Sequence, residues 1–286
     1  MQTMNDFTAE QRARKFVRAV APTSVPVSLE AYLAHIDAKA IVDDDLGEGE
    51  AGYTMTVKGR HTIGVNARDS ERRQRFTICH EIGHVVLELE SEHGDLSWSY
   101  ERRPPNEVCC DIFAAELLLP VSLFRPEVLK MEINAQSMAD LAEQFNASLL
   151  ATGSRMVAFS PEPCAFVVSQ GGKLKYAFRS PALRDAKLWV PSGIALPDHS
   201  MSAALRKNSA GAGPIELDAD VWFDDVEGGI VLEDAIYDAS RDQTLTLLRL
   251  DAEELPERTE SIAHSREEDD GGLKELDGHL PWPSKR

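Results

Sequence analysis

The stretch RFTICHEIGHVVLE, residues 75 to 88, decides how the rest of the chain is read. His80 and His84 stand four apart, and Glu81 follows the first of them. On an α-helix these side chains fall within an arc of about 100°. Both imidazoles then reach one metal ion from consecutive turns, and the carboxylate lies beside it. Zinc takes neutral imidazoles as ligands and keeps one position open for water in hydrolytic sites. The ion lowers the pKa of that water to about 7. An adjacent carboxylate can then take the proton. This is the HExxH arrangement of metal-dependent hydrolases. The opposite face offers Phe76, Cys79, Ile82 and Val86 to a core. Gly83 is costly inside a helix and points to a close backbone neighbour. The motif also arises by chance on amphipathic helices, so its weight depends on what else the chain supplies.

A hydrolytic zinc site needs a third protein ligand. NEVCCD, residues 106 to 111, places Glu107 and Asp111 at i and i+4 on one helical face. Glu107 is expected as the ligand. Asp111 then accepts a hydrogen bond from the non-metal nitrogen of a ligand histidine and fixes its tautomer. The reverse assignment, with Asp111 on the metal, is the alternative, and two plain surface acids are the bland reading. The following IFAAELLLP is almost wholly apolar, and its lone acid, Glu116, is expected to face solvent. YTMTVKGRHTIGVN, residues 53 to 66, alternates like a hairpin turned at Lys58-Gly59. Its second strand, HTIGVN, is expected to lend an edge to an extended substrate; an ordinary paired strand is the plain reading. A donor for a developing oxyanion is also required. Tyr100 is the candidate, with His93, Arg102 and Arg103 in the same loop. His35, His199, His264 and His279 lack ligand spacing.

The chain of 286 residues has room for about two domains. Residues 8 to 20 read as a basic-faced helix. SVPVSLEAYLAHIDAKAIV reads as a helix capped by Ser28, with apolar positions continuing to Ile36 and Ile41. A helical pair broken near Asn146 occupies 137 to 156. From Pro161 short β-rich runs appear: CAFVVSQ, LKYAF, LWVP, VWFDDV, GIVLEDAIYD and QTLTLLRL. Gly-Gly at 171–172 and 228–229 is expected to turn hairpins. Residues 251 to 280 hold eleven acids against three bases and are expected to be disordered. The expected class is α+β: a mainly helical, zincin-like domain over 1–158 with a short antiparallel sheet, a mixed α/β or β-rich domain over 161–250, and an acidic tail over 251–286.

Net charge is −18, which disfavours direct nucleic-acid binding. The basic clusters at Arg12, Arg14, Lys15 and Arg18 and at Arg68, Arg72, Arg73 and Arg75 read as solvated helix faces. No apolar run is long enough for a membrane helix, and no apolar signal core opens the chain. The four cysteines form no CxxC pair and suit reduced thiols in the cytoplasm.

IGVNARDSERRQRFTICHEIGH, followed by NEVCCDIFAAELLLP and LAEQFNASLLATGSRM, resembles the ImmA/IrrE family of metallopeptidases. The resemblance covers about residues 8 to 158. It implies His80 and His84 as zinc ligands, Glu107 as the third ligand and Glu81 as catalytic base, with manganese as an alternative metal. Asp111 stands where the family often has asparagine. The family implies a cytoplasmic protease that cuts a helix-turn-helix (XRE-type) repressor, often encoded nearby, and so derepresses stress, mobile-element or defence genes. Residues 137–156 are similar to the family's helix-turn-helix-like segment. One base there, Arg155, favours packing or substrate docking over DNA contact. Residues 161–250 would then match a sensory, GAF-like domain of some members. A non-catalytic metal-containing regulator, and a toxin–antitoxin or phage-defence protease acting on another protein, are the competing readings.

Overall fold

The computed structural model describes residues 5–47, 49–90, 104–207 and 213–259. The chain divides into two compact units. Of the described residues, one unit holds those up to Pro126 and Leu141–Ala151; the other holds Glu127–Asp140 and those from Thr152 to Thr259.

The first unit opens with α1, Asp6–Val20, capped by Asn5 Oδ1, which accepts from the Thr8 N–H at 2.9 Å. Helix α2, Leu29–His35, follows Ser28 as expected but stops well before Ile41. Asp37 turns left-handed at φ +51, and Ala38–Asp43 become strand β1. Pairing overrides the apolar spacing here: β1 lies parallel to β3, Arg60–Asn66. The hairpin forms as read. β2, Gly52–Val57, pairs antiparallel with β3, and Lys58 (φ 52) and Gly59 (φ 79) make the turn. Two positive φ values in succession are what a type I′ turn needs. The strand order is β1-β3-β2. HTIGVN is therefore the central strand, not an edge, because β1 claims its second side; β1 and β2 each keep a free side among the described residues.

Helix α3, Glu71–Leu87, carries the histidines, and α4, Pro105–Leu118, lies beside it. A Cβ on Gly83 would meet Cys110 Cα at 3.2 Å, so the glycine marks the close approach its position implied. Helix α1 covers α4 through Phe16 against Phe113, ring centroids 5.6 Å apart. The Tyr32 hydroxyl donates to Leu117 O at 3.1 Å. Phe113, Leu117 and Ile82 are fully buried, each contributing about 1.5–3 kcal/mol. Glu116 does not face solvent: it is 1% exposed. Its Oε1 accepts from the Val121 N–H opening α5, Val121–Val128, and Arg14 of α1 approaches within 4.0 Å. Several bases are likewise used within the fold. Arg73 pairs with Asp69 at 2.9 Å, Arg72 with Glu143, and Arg75 donates to Val27 O.

Helices α6, Ala135–Gln144, and α7, Leu149–Phe159, are separated by a break with Asn146 at φ +49. Met138, Leu141, Phe145, Met156 and Val157 are buried, so these helices spend their apolar faces on packing. In the second unit a five-stranded antiparallel sheet has the order β5-β4-β9-β8-β6. Its strands are β4, Cys164–Gln170; β5, Lys173–Arg179; β6, Ile215–Asp218; β8, Ile230–Asp238; and β9, Gln243–Leu250. A two-residue pairing joins β7, Val226–Glu227, to β10, Glu257–Arg258. Short helices α8, Pro181–Asp185, and α9, Met201–Arg206, complete the unit.

Gly171 and Gly172, both at positive φ, turn β4 into β5 as expected. Gly228-Gly229 turns no hairpin, since β7 and β8 belong to different sheets. LWVP forms no strand either, and VWFDDV lends only its last residue, Val226, to β7. Leu188 is held by Arg179, whose guanidinium donates to its carbonyl at 3.0 Å and stacks 3.4 Å over the exposed Trp189 ring. Trp222 follows a 3-10 turn at Ala219–Val221 and buries its ring, its Nε1–H donating to Glu233 at 3.0 Å. Apolar runs demand burial, and aromatic anchors satisfy that without a ladder. Residues 260–286 of the acidic stretch lie outside the described residues. Among the described residues no helix is long and apolar enough to cross a membrane.

Candidate metal centre

Ser70 caps α3, its hydroxyl accepting from the Arg73 N–H, and Glu71 sits in the first turn. The helix then brings His80, Glu81 and His84 to the side facing α4. Pro105 suits the first turn of α4, where its missing N–H costs nothing. Glu107 and Asp111 follow one turn apart. All five side chains are buried: His80 9%, Glu81 4%, His84 6%, Glu107 9% and Asp111 4% exposed.

The distances set a small triangle whose corners are His80 Nε2, His84 Nε2 and the Glu107 carboxylate, which meets each imidazole with a different oxygen. His80 Nε2 and His84 Nε2 are 3.1 Å apart. Glu107 Oε2 is 3.0 Å from His80 Nε2, and its Oε1 is 3.4 Å from His84 Nε2. A tetrahedral zinc ion with bonds of about 2.0–2.1 Å separates its ligand atoms by about 3.3 Å. The spacings of the donor set are therefore of the size a zinc ion requires. Cys110, which spacing alone did not single out, has its Sγ within 4.8 Å of the two imidazole nitrogens. Burial, then the carboxylates of Glu107 and Asp111, raise the Cys110 pKa and keep it a thiol. Glu107 and Cys110 thus both stand beside the two histidines. Cys110 stands three residues after Glu107, a helical neighbour spacing that could have marked it.

The groups behind the triangle set its polarity. Asp111 Oδ1 lies 2.9 Å from His80 Nδ1. Asp111 thus stands behind His80, not on the triangle. His84 Nδ1 lies 3.1 Å from Leu89 O. A carbonyl only accepts, so Nδ1 carries the proton there and Nε2 presents a lone pair to the triangle. Leu89 reaches that place because Glu88 turns left-handed at φ 58 and ends the helix. A backbone carbonyl leaves no mark in a sequence. Burial opposes charge on His80, but hydrogen bonds to Asp111 and Glu107 outweigh it and push its pKa up to about 10. Thr54, in β2, donates to Glu81 Oε2 at 2.7 Å, a contact the strand's alternation could not name. Tyr100, His93, Arg102 and Arg103 lie outside the described residues.

Residues 41–156 match the family profile described as "IrrE N-terminal-like domain". The "Radiation response metalloprotease IrrE" of Deinococcus radiodurans is 26% identical over 117 residues, 40% of this chain and 36% of that protein. Its counterpart in Deinococcus deserti is 27% identical over 176 residues, 56% of this chain and 62% of that protein. Less than two thirds of either relative is thus spanned. A structure titled "Mycobacterium tuberculosis transcriptional regulator" shares the fold at TM-score 0.53 and 11% identity, over 85% of this chain and 76% of that one. The matched segment, which carries the His80-Glu81-x-x-His84 motif, is thus similar to the metal-binding domain of the IrrE metalloproteases.

Proposed function

We propose that this domain is a zinc-dependent endopeptidase, with manganese as the alternative metal, in which His80, His84 and Glu107 hold the ion. The observation that carries the reading is the buried triangle of ligand atoms at 3.0–3.4 Å, with the Glu81 carboxylate buried beside it. When bound, the ion acidifies a water and polarises the scissile carbonyl. Glu81 takes the proton of the attacking water and later delivers it to the leaving amine. Asp111 and the Leu89 carbonyl hold the two imidazoles in the tautomers that ligation requires. The free side of β2 accepts the substrate as an added strand, so main-chain hydrogen bonds carry affinity. Tyr100 is the candidate oxyanion donor.

The substrate proposed is a helix-turn-helix (XRE-type) repressor encoded nearby, cleaved in the cytoplasm to derepress stress or defence genes. The name of the Deinococcus relatives, radiation response metalloproteases, supports a regulatory setting. The test is incubation of that repressor with purified protein and zinc or manganese, for wild type and Glu81→Gln. Cleavage by wild type alone is expected. Equal cleavage by Glu81→Gln would refute Glu81 as the base.

A further inference from the structure

We propose that Thr54 is a positioning residue that aims the Glu81 carboxylate, and that it ties this aim to the strand on which substrate docks. The inference rests on Glu81 being the base, as argued above. Strand β2 descends onto α3 at Gly52: a Cβ there would meet Thr77 Cγ2 at 2.5 Å, so only glycine lets the backbone come so near. Two residues along the strand advance about 6.7 Å, and four along the helix about 6 Å. The two elements run in the same direction at matched rise. Gly52 lies over Thr77, and Thr54 comes to lie over Glu81, one turn on.

At that point the Thr54 hydroxyl donates to Glu81 Oε2 at 2.7 Å. A carboxylate has two oxygens; Thr54 occupies one and leaves the other to accept the water's proton. A buried carboxylate without such a tether is free to rotate about its terminal torsion, which is broad. Thr54 also sits mid-strand in β2, whose other side pairs with no strand among the described residues. A peptide added there would order the same backbone that carries the hydroxyl. Docking and base orientation are thereby linked through one residue.

The test compares Thr54→Val, Thr54→Ser and Glu81→Gln in the zinc-loaded protein. Thr54→Val keeps the branched shape and removes the donor; Thr54→Ser restores the donor. With the repressor as substrate, kcat is expected to fall about ten- to hundredfold in Thr54→Val, the scale of a hydrogen bond to a charged group. KM and zinc affinity should hold, and Thr54→Ser should recover most of kcat. A leucine-based dipeptide hydroxamate, titrated calorimetrically, should bind several-fold more weakly to Thr54→Val and normally to Thr54→Ser. Unchanged kcat in Thr54→Val beside a dead Glu81→Gln overturns the role of Thr54 alone. An active Glu81→Gln overturns the base, and Thr54 with it.

Discussion

Replacing Gly83 by alanine tests the packing that brings the two ligand helices together. Alanine is the better helix former by about 1 kcal/mol, so on propensity alone the change would stabilise α3. The new Cβ, however, meets Cys110 Cα at 3.2 Å, Cβ at 3.3 Å and O at 3.4 Å. Two of these atoms are backbone and cannot swing aside, so the helices must part by a few tenths of an ångström. Overpacking of this kind costs about 1–3 kcal/mol. The net expectation is a destabilisation of about 0–2 kcal/mol. The same displacement widens the Glu107–His84 side of the triangle, at 3.4 Å already its longest. Zinc affinity should therefore fall more than stability does. Melting of the metal-free protein and calorimetric zinc titration measure the two effects. A Gly83→Ala protein stabilised by about 1 kcal/mol with unchanged zinc affinity would refute the close-packing argument.

Glu107→Ala should lose zinc affinity by more than the roughly 10–100-fold that an outer partner typically costs, while Cys110→Ser should stay near wild type; the reverse order would hand the third position to Cys110. Asp111→Ala should weaken zinc by about 10–100-fold, and Asp111→Asn, which keeps an acceptor at His80 Nδ1, by less. Hydrogen bonds to Asp111 and Glu107 push the His80 pKa up to about 10, so zinc binding at neutral pH is expected to release a proton. Titrations at pH 7 in buffers of different ionisation enthalpy should reveal proton release, and buffer-independent heats would contradict it. Glu233 is 0% exposed and accepts from the Met201 and Ser202 N–H groups, the Ser202 hydroxyl and Trp222 Nε1–H. Glu233→Ala strands these donors and should cost at least about 3 kcal/mol, at roughly 1–3 per unsatisfied group, with red-shifted tryptophan emission; an unshifted melting curve would show that α9 does not depend on it.

The centre was legible because its residues sit at helical spacings. His80, Glu81 and His84 on one helix, and Glu107 with Asp111 on another, are patterns that local geometry alone makes meaningful. Gly83 announced the contact between those helices for the same reason. Thr54 and Leu89 were not legible: one acts across a strand-to-helix contact, the other through a main-chain carbonyl. Glu116 was misplaced because a lone acid in an apolar run looks like an exposed position, while the chain elsewhere supplied Val121 N–H and Arg14 to receive it. Strand β1 was read as helix since Ile36 and Ile41 fit a helical face, and only its parallel partner β3 decides otherwise. In the second unit, LWVP and VWFDDV had strand-like composition, yet Trp189 and Trp222 are secured by a guanidinium and a buried carboxylate.

The hydrogen bonds of the triangle also explain how three ligand atoms can converge in a buried place before any ion arrives. His84 Nε2 and the Glu107 carboxylate both present lone pairs, and lone pairs at 3.0–3.4 Å repel unless something positive stands between them. Protonated His80 supplies that charge: Nδ1–H points to Asp111, and Nε2–H points into the space shared by Glu107 and His84. Because the folded pKa of about 10 exceeds the ordinary 6.5, this contribution to stability is fully present below about pH 6.5 and is lost as pH rises through 10. His80, His84 and Glu107 would hold a divalent ion where that proton lies, and the partners behind the two imidazoles would keep their places. Asp111 still receives Nδ1–H of His80, and Leu89 O still receives Nδ1–H of His84. Metal loading is therefore expected to be an exchange with the His80 proton that higher pH favours.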